Sequence, residues 1–363
     1  MTKKIAFLNN NLDGGGEERI FTISANSLVD QGYQIDIVLC RARGVFLEKL
    51  SPEINVVNLS VQPRISALEI FKYIRHNQPD LIISTTDTLN WSAIIATILS
   101  RTSTKVIARI PTTISMQIKT TYKKILLRII STIIYPFADH IITVSYESEK
   151  DFLQFTHVRQ DLVTTIYNPV IIPDVNKLAH RPPKHEWFDD GNPPVILGVG
   201  RLHHQKNFPN LIRAFKLVLE HQEARLLILG EGSERGNLEK LIGDLNLNAY
   251  VSMPGFELNP YTFMKNAAVF VLPSDVEGLP TVLIEALACG CQTVSTQCPS
   301  GPSEILEGGK HGYLVPVNNP QALAQSIVTV LDGERKPDNL DHLERFNAET
   351  VMKKHEKLIS DLL

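Results

Sequence analysis

The sequence is organised around residues 269–305, which read VFVLPSDVEGLPTVLIEALACGCQTVSTQCPSGPSEI. One apolar run predicts a buried strand at Val269–Leu272, and a second predicts a strand at 292–295. Between them, Pro280 suits the first turn of a helix, and Gly290 suits the left-handed residue that ends one. The stretch therefore predicts a strand, a helix and a second strand, which together form one unit of a parallel sheet.

Two glutamates bracket the start of this predicted helix. Free backbone N–H groups and the helix dipole favour an anion near Gly278, Leu279 and Pro280, although Pro280 itself has no N–H to donate. Glu277 lies just before this site and Glu285 lies beyond it, roughly 12 Å away if the whole span is helical. A nucleotide sugar fits that spacing, because it has hydroxyl groups at both ends and phosphate between them. The alternative is that Glu285 is a solvated helix residue and Glu277 a loop charge.

Length and composition indicate a globular protein. A chain of 363 residues predicts two domains of ordinary size. The net charge of -3 gives no case for nucleic acid, and the four cysteines include no C-x-x-C pair that would indicate a zinc site or a disulfide framework. The sequence shows no secretion signal and no membrane-spanning apolar run, so we expect a cytoplasmic location.

Short apolar runs alternate with helical patterns on both sides of a polar, proline-rich stretch at 174–194, which predicts a linker. Strands are predicted at 5–8, 35–39, 56–59, 81–84, 106–109, 141–144, 163–166, 195–199, 226–229 and 251–253. This pattern predicts an α/β protein with two Rossmann-like, doubly wound parallel-sheet domains facing a cleft. We expect an N-terminal domain at 1–172, a C-terminal domain at 173–345, and a helix at 346–363 that packs back on the N-terminal domain.

Two cations follow the first predicted strand of the C-terminal domain. Arg201 comes directly after Gly200, and Lys206 follows in the same loop. At the carboxyl end of a strand, a planar guanidinium and an ammonium point charge suit a diphosphate. The alternative is a pair of solvated surface charges.

A glycine turn, Gly14-Gly15-Gly16, follows the first strand of the N-terminal domain. Glycines there allow close approach of a phosphate to the backbone. A dinucleotide fingerprint with Asp36 as its acid is one interpretation, but the third glycine of that motif is missing. A turn without any ligand is the other alternative.

Residues 88–138 contain no acidic residue. The basic residues in this segment are Arg101, Lys105, Arg109, Lys119, Lys123, Lys124 and Arg128. An apolar stripe of Ile118, Tyr122, Ile125, Ile129 and Ile133 predicts a helix at 118–135. Such a helix suits an anionic membrane surface, which Lys119, Lys123, Lys124 and Arg128 would face. The alternative is that the stripe is buried against the sheet.

Several motifs together resemble the family-4 retaining glycosyltransferases of the GT-B fold. They are V-G-R-L-x4-K-N (199–207), I-L-G-E-G (228–232), G-F-x3-P-Y (255–261), E-G-L-P-T-V-L-I-E-A-L-A-C-G (277–290), S-G-P-S-E-I-L (300–306) and the glycine turn near the start. The sequence is similar in particular to bacterial enzymes that extend undecaprenyl-diphosphate-linked saccharides. The resemblance covers nearly the whole chain.

The resemblance implies a role for each matching residue. Arg201 and Lys206 would bind the donor diphosphate and stabilise the leaving nucleotide, and with Glu277, which would bind the sugar, they form the catalytic set. Glu285 would bind the ribose. The other donor-binding residues would be Gly15, Gly16, Gly200, Gly255, Phe256, Gly278, Leu279 and Pro280. No cofactor and no divalent metal are expected.

One departure from the family concerns the N-terminal domain. Many members carry a histidine after the strand that here ends at Arg109, and this chain has none there. Arg109 is therefore an acceptor-side candidate, and the donor phosphate can itself take the acceptor proton.

The expected activity is retaining transfer of a hexose or N-acetylhexosamine from a nucleoside-diphosphate sugar, such as UDP-GalNAc or UDP-GlcNAc, to a lipid-linked saccharide. We expect the enzyme to lie on the inner face of the cell membrane. The alternatives are a GT-B epimerase, a phosphorylase-like enzyme, or a non-catalytic nucleotide-binding module.

Overall fold

The computed structural model describes residues 2–116, 120–337 and 341–363. These fall into two compact units: unit 1 comprises Met1–Pro169 and Ala348–Leu363, and unit 2 comprises Val170–Asn347. Each unit has its own parallel sheet and its own apolar core. The two parallel-sheet domains predicted from the alternating pattern are thus confirmed.

Unit 1 is built on a sheet with the strand order β3-β2-β1-β4-β5-β6-β7. Its strands are β1 (Lys4–Asn9), β2 (Gln34–Leu39), β3 (Asn55–Asn58), β4 (Leu81–Thr85), β5 (Lys105–Ile110), β6 (His140–Thr143) and β7 (Val163–Thr165). Its helices are α1 (Gly16–Asp30), α2 (Ala67–Asn77), α3 (Asp87–Ser100), α4 (Thr121–Ile134), α5 (Tyr146–Thr156) and, from the end of the chain, α13 (Ala348–Leu362).

Unit 2 is built on a sheet with the strand order β10-β9-β8-β11-β12-β13. Its strands are β8 (Val195–Val199), β9 (Arg225–Leu229), β10 (Val251–Gly255), β11 (Val269–Leu272), β12 (Thr293–Thr296) and β13 (Tyr313–Val315). Its helices are α6 (Val175–Ala179), α7 (Phe208–Val218), α8 (Arg235–Asp244), α9 (Tyr261–Asn266), α10 (Thr281–Ala288), α11 (Pro302–Ile305) and α12 (Pro320–Leu331).

The sequence explains why the central strands lie inside. β1, β4, β5, β8 and β11 are nearly continuous apolar runs, and their side chains are buried on both faces of the sheets. This is the pattern of a parallel sheet that helices cover on both sides. Because all carboxyl ends of such strands lie at one edge, each sheet collects its loop residues there.

Some elements differ from the prediction. The stretch at 174–194, predicted as a linker without structure, contains α6, whose Val175 and Ala179 are buried. The helix predicted at 118–135 is helical over Thr121–Ile134, while Ile118 and Lys119 lie outside the described residues. α5 was not predicted, although Ser145 caps it by accepting a hydrogen bond from the N–H of Ser148.

Candidate functional site

Two loops of unit 2 carry the residues that the sequence singles out. β8 and β11 are neighbouring parallel strands, so the loops that follow them emerge side by side. In these loops Lys206 Nζ donates a hydrogen bond to Glu277 Oε1 at 2.6 Å. Lys206, predicted to bind phosphate, and Glu277, predicted to bind the sugar, therefore form one ion pair in the structure.

This ion pair is largely shielded from water. The side chain of Glu277 is 10% exposed and that of Lys206 is 20% exposed. Ser274 Oγ donates to the same Glu277 oxygen at 2.6 Å. Two hydrogen-bond donors fix the orientation of this largely buried carboxylate. Glu277 is therefore not a solvated loop charge, which was the alternative interpretation.

An amide network fixes the two loops to each other. Asn207 has a left-handed backbone, with φ 46, and its Nδ2 donates to Asp275 Oδ1 and to Asn318 Oδ1, each at 2.7 Å. The N–H of Asp275 donates to the carbonyl of Gln205 at 2.8 Å. Sequence reasoning did not identify Ser274, Asp275 or Asn318, because these contacts join segments that are distant in the chain.

Glu285 lies on the buried side of α10. It is 4% exposed, and Tyr261 at the start of α9 donates its hydroxyl to Glu285 Oε1 at 3.4 Å. The interpretation of Glu285 as a solvated helix residue is therefore wrong. A buried carboxylate is costly unless it has a partner, so Glu285 is suited to bind hydroxyl groups or to order Tyr261.

The start of α10 differs in detail from the prediction. Pro280 precedes the helix as its N-cap, with ψ 97, so the span from Glu277 to Glu285 is not helical throughout. Ser300 Oγ donates to the carbonyl of Gly278 at 2.7 Å. Gly301 has φ 93, and a Cβ there would lie 2.4 Å from Pro280 Cδ. The S-G-P-S-E motif thus packs directly on the helix start, where Gly278, Leu279 and Pro280 are buried.

The remaining predicted donor-side residues follow β8 and end β10. Gly200 donates its N–H to the carbonyl of Leu229 at 2.9 Å, and Arg201 beside it is exposed. Gly255 is buried at the end of β10, and Phe256 after it is 47% exposed. An exposed guanidinium and an exposed aromatic ring therefore stand at the carboxyl edge of this sheet, available to a ligand.

In unit 1 the glycine turn leads directly into α1, with Gly15 as the N-cap and Gly16 as the first helical residue. Asp36 is fully buried in β2, where Lys4 Nζ lies 2.9 Å and Tyr73 OH 2.6 Å from its Oδ2. The interpretation of Asp36 as the acid of a dinucleotide fingerprint is therefore wrong.

Arg109 lies near the carboxyl end of β5 and is 6% exposed. Its guanidinium donates to Asn168 Oδ1. Burial lowers the pKa of Arg109, and the Glu17 carboxylate opposes that shift. Burial, together with the Arg109 charge, lowers the pKa of His355 on α13 to about 3, so this histidine is neutral near pH 7.

The apolar stripe of α4 faces solvent. Tyr122, Ile125, Leu126, Ile129 and Ile133 are each more than half exposed. Leu127 and Ser131 form the buried side of the helix. Burial of the stripe against the sheet, the alternative interpretation, is therefore wrong. Lys123 and Arg128 are exposed and Lys124 is partly exposed, whereas Lys119 lies outside the described residues. Within the parts of the chain that the structure covers, no helix is long and apolar enough to cross a membrane.

Two protein families match the chain, one for each unit. Residues 14–172 match Glycosyltransferase Family 4. Residues 183–345 match Glycosyl transferases group 1. Together these matches span most of both units.

Two similar proteins come from Campylobacter jejuni. One is the N-acetylgalactosamine-N,N'-diacetylbacillosaminyl-diphospho-undecaprenol 4-alpha-N-acetylgalactosaminyltransferase, which is 27% identical over 92% of this chain and 91% of its own length. The other, an alpha-1,4-N-acetyl-D-galactosaminyltransferase acting on a diNAcBac-PP-undecaprenol-linked saccharide, is 28% identical over 91% of this chain and 89% of its own.

Solved structures share the fold. HepE from Anabaena, in complex with UDP-glucose, superposes with a TM-score of 0.82 at 21% identity and covers 99% of both chains. A glycosyltransferase from Rickettsia africae gives a TM-score of 0.81 at 18% identity, covering 99% of this chain and 98% of its own. The fold is therefore that of the GT-B glycosyltransferases.

Proposed function

Because this chain belongs to the glycosyltransferases that join a Family 4 domain to a group 1 domain, we propose that it builds a lipid-linked saccharide. It transfers a hexose or N-acetylhexosamine from a UDP-sugar, such as UDP-GalNAc or UDP-GlcNAc. Two similar proteins are N-acetylgalactosaminyltransferases of undecaprenyl-linked acceptors, and HepE is a structural neighbour with bound UDP-glucose. These likenesses support the donor and acceptor classes.

The observations that carry the proposal are the shielded ion pair of Lys206 and Glu277 and the buried carboxylate of Glu285 in the helix that follows Glu277. The proposed donor lies along these groups, with its ribose hydroxyls on Glu285, its diphosphate on Lys206 and Arg201, and its hexose hydroxyls on Glu277. Lys206 then contacts the phosphate and the sugar-binding carboxylate at once. At that position the positive charge of Lys206 stabilises the transition state, in which negative charge develops on the leaving nucleotide.

The proposed reaction retains the anomeric configuration and needs no divalent metal. Arg201 and Lys206 supply the positive charge that a divalent metal ion would otherwise provide at the diphosphate. The donor phosphate takes the proton of the acceptor hydroxyl as the glycosidic bond forms. The donor is also contacted by the backbone of Gly200, Gly278, Leu279 and the neighbours of Pro280. The base of the nucleotide lies against Gly255 and Phe256.

We propose that unit 1, which corresponds to the predicted domain 1–172 together with the C-terminal helix, binds the acceptor. Unit 2, which corresponds to the predicted domain 173–345, binds the donor. Gly15 and Gly16 at the start of α1 approach the substrates through backbone N–H groups. Arg109 is the acceptor-side cation.

The proposed membrane contact is made by α4. Its exposed stripe of large apolar residues is flanked by Lys123, Lys124 and Arg128, in a segment without any acidic residue. α3 also has exposed apolar residues, since Ile98 and Leu99 are 51% and 64% exposed. An apolar face with a basic border suits the surface of an anionic bilayer, where the lipid-linked acceptor resides. The proposed location is therefore the inner face of the cell membrane, where the enzyme is a peripheral protein.

A nucleotide-release assay tests the function. Purified protein is incubated with a panel of UDP-sugars, with and without a bacterial lipid extract as acceptor. A transferase releases UDP when the acceptor is present and hydrolyses its donor only slowly without it. An epimerase would convert UDP-GlcNAc without any acceptor, and a non-catalytic binding module would release no UDP under either condition.

A further inference from the structure

Three neighbouring strands of unit 1 end in polar side chains that lie in one row. Leu8 pairs with Ser84 and Thr85 pairs with Arg109, so Asn9 at the end of β1 lies beside Thr85. Side chains alternate along a strand, so all three point to the same face of the sheet. The exposed fractions are small: 5% for Asn9, 1% for Thr85 and 6% for Arg109.

Polar atoms at this row lack the hydrogen bonds that buried groups require. Within the described chain, Asn9 Nδ2, Thr85 Oγ1 and Glu17 Oε1 are buried and have no hydrogen-bond partner. Glu17 shares a face of α1 with Phe21 and Ser24, which lie four and seven residues further along and line a cavity together with Thr85 and Arg109. Its carboxylate also opposes the lowering of the Arg109 pKa by burial. Buried polar groups are normally satisfied, so three orphan atoms around one cation need an explanation.

The backbone next to the row is also strained. Thr86, directly after Thr85, has φ 73 and ψ 141. A β-branched residue seldom adopts that conformation, and such strain tends to occur where a protein binds or transforms a ligand.

The charges of the row balance. Arg109 is cationic and Glu17 anionic, while His355, whose pKa burial and the Arg109 charge lower to about 3, is neutral near pH 7. A phosphate or carboxylate bound here would bring an uncompensated negative charge close to Glu17. A neutral polar group avoids this cost, because it needs only a donor and an acceptor.

We propose that the row of Asn9, Thr85 and Arg109, with Glu17, is a subsite for the acetamido group of an N-acetylated sugar. Asn9 Nδ2 and the guanidinium donate to the acetamido carbonyl, Glu17 Oε1 accepts from the acetamido N–H, and the Thr85 hydroxyl lies between them. A secondary amide carries its donor and acceptor on separate atoms, as this row does.

This subsite rests on the proposed function, and the acetamido group can belong to the donor sugar or to the acceptor saccharide. Thr85→Val removes the orphan hydroxyl and keeps the side-chain shape. Thr104→Val is the matched control in the same unit, because the Thr104 hydroxyl is satisfied, donating to the carbonyl of Pro79 at 2.8 Å. Neither change alters charge.

The measured quantity is the ratio of kcat/KM for an N-acetylated substrate to that for its hydroxyl analogue. One arm compares UDP-GalNAc with UDP-galactose, and the other compares lipid-linked acceptors ending in N-acetylgalactosamine or galactose. We expect Thr85→Val to lower the ratio about 5- to 150-fold in one arm, which identifies the source of the acetamido group. Thr104→Val leaves both ratios unchanged, because a general loss of folded enzyme lowers numerator and denominator alike.

A cavity of about 10 Å³ provides the competing explanation, since it has room for one water that would satisfy the Thr85 hydroxyl. Its polar lining includes Thr85, Arg109 and His355, and apolar side chains such as Phe7 and Met352 form most of the remainder. In that case Thr85→Val leaves both ratios unchanged, which would overturn the proposal. Saturation-transfer NMR on the wild-type protein is independent of the variants. It is expected to show the methyl glycoside of N-acetylgalactosamine bound in preference to methyl galactoside, and equal signals would contradict the subsite. A wild-type protein that transfers no sugar at all would instead refute the proposed function.

Discussion

Glu277→Gln and Lys206→Met are expected to separate sugar binding from phosphate binding. Lys206 Nζ lies 2.6 Å from Glu277 Oε1, and in the account above it also binds the donor diphosphate. Without donor, the carboxylate competes with phosphate for this ammonium group. Replacing Glu277 by glutamine removes that competition, and it also removes a charged acceptor for the hydroxyl groups of the hexose.

The magnitudes follow from the exposure of the pair. A hydrogen bond to a charged group contributes about 1.5–3 kcal/mol. The Lys206 side chain is 20% exposed, and Arg201 would still bind the diphosphate after Lys206 is replaced, so the lower part of that range applies. Lys206→Met should therefore weaken UDP binding by roughly 10- to 30-fold. Glu277→Gln should leave the Kd of UDP unchanged or lower it by up to about fivefold, while it weakens the UDP-sugar by about 10-fold or more.

Isothermal titration calorimetry with UDP and with UDP-GalNAc measures these effects. Lys216→Met is the matched control, since Lys216 lies exposed on α7 of the same unit. It should change neither Kd by more than about twofold. If Glu277→Gln weakens binding of UDP itself as strongly as Lys206→Met does, then Glu277 supports the phosphate site and its assignment to the sugar is wrong.

Three other predictions concern single residues. Tyr261→Phe removes the hydroxyl that donates to Glu285, and it should cost about 1 kcal/mol of stability with less than a fivefold loss of UDP affinity. Glu285→Ala should weaken UDP binding at least 10-fold. Equal losses of UDP affinity in calorimetry would make Tyr261 the main ligand. His355 has a pKa lowered from 6.5 to about 3, so the unfolded chain binds more protons between these values and stability falls as the pH drops from about 6.5 towards 3. Thermal unfolding at pH 7.5 and pH 5 should show a loss about 2 kcal/mol smaller in His355→Phe than in wild type, and an identical loss would show that His355 is not buried neutral. Ile129→Ser on the exposed face of α4 should reduce co-sedimentation with anionic vesicles without lowering the melting temperature. Leu127→Ser on the buried side of α4 should destabilise the protein. Unchanged vesicle binding by Ile129→Ser would show that α4 does not make the membrane contact.

The alternating apolar runs predicted most of the fold because strands buried on both faces leave a strong local signal. A C-terminal helix was predicted at 346–363, and α13 occupies Ala348–Leu362 of that range. The short helix α6 was missed because it has only five residues and its burial depends on tertiary packing. The stripe of α4 shows the same limit: periodicity identified its apolar side, but whether that side meets the sheet or the solvent is decided by the rest of the unit.

For the candidate site, local motifs identified the residues, but their burial and their hydrogen-bond partners depend on tertiary contacts. The spacing of Glu277 and Glu285 left them with an ordinary alternative, which their burial and their bonds to Lys206, Ser274 and Tyr261 now exclude. Those partners come from other loops, so no short-range pattern contains them. The roles of the site residues remain predictions.

The central claim is that this chain moves a sugar from UDP onto a lipid-linked saccharide with the donor site in unit 2. The most direct measurement follows radiolabel from UDP-N-acetylhexosamine into the organic phase of a reaction that contains lipid-linked acceptor. Wild-type protein should transfer label to the lipid fraction in proportion to acceptor, and Glu285→Ala should reduce this transfer at least 10-fold. Label that stays in water as free sugar or epimerised UDP-sugar, whether or not lipid is present, would contradict the account.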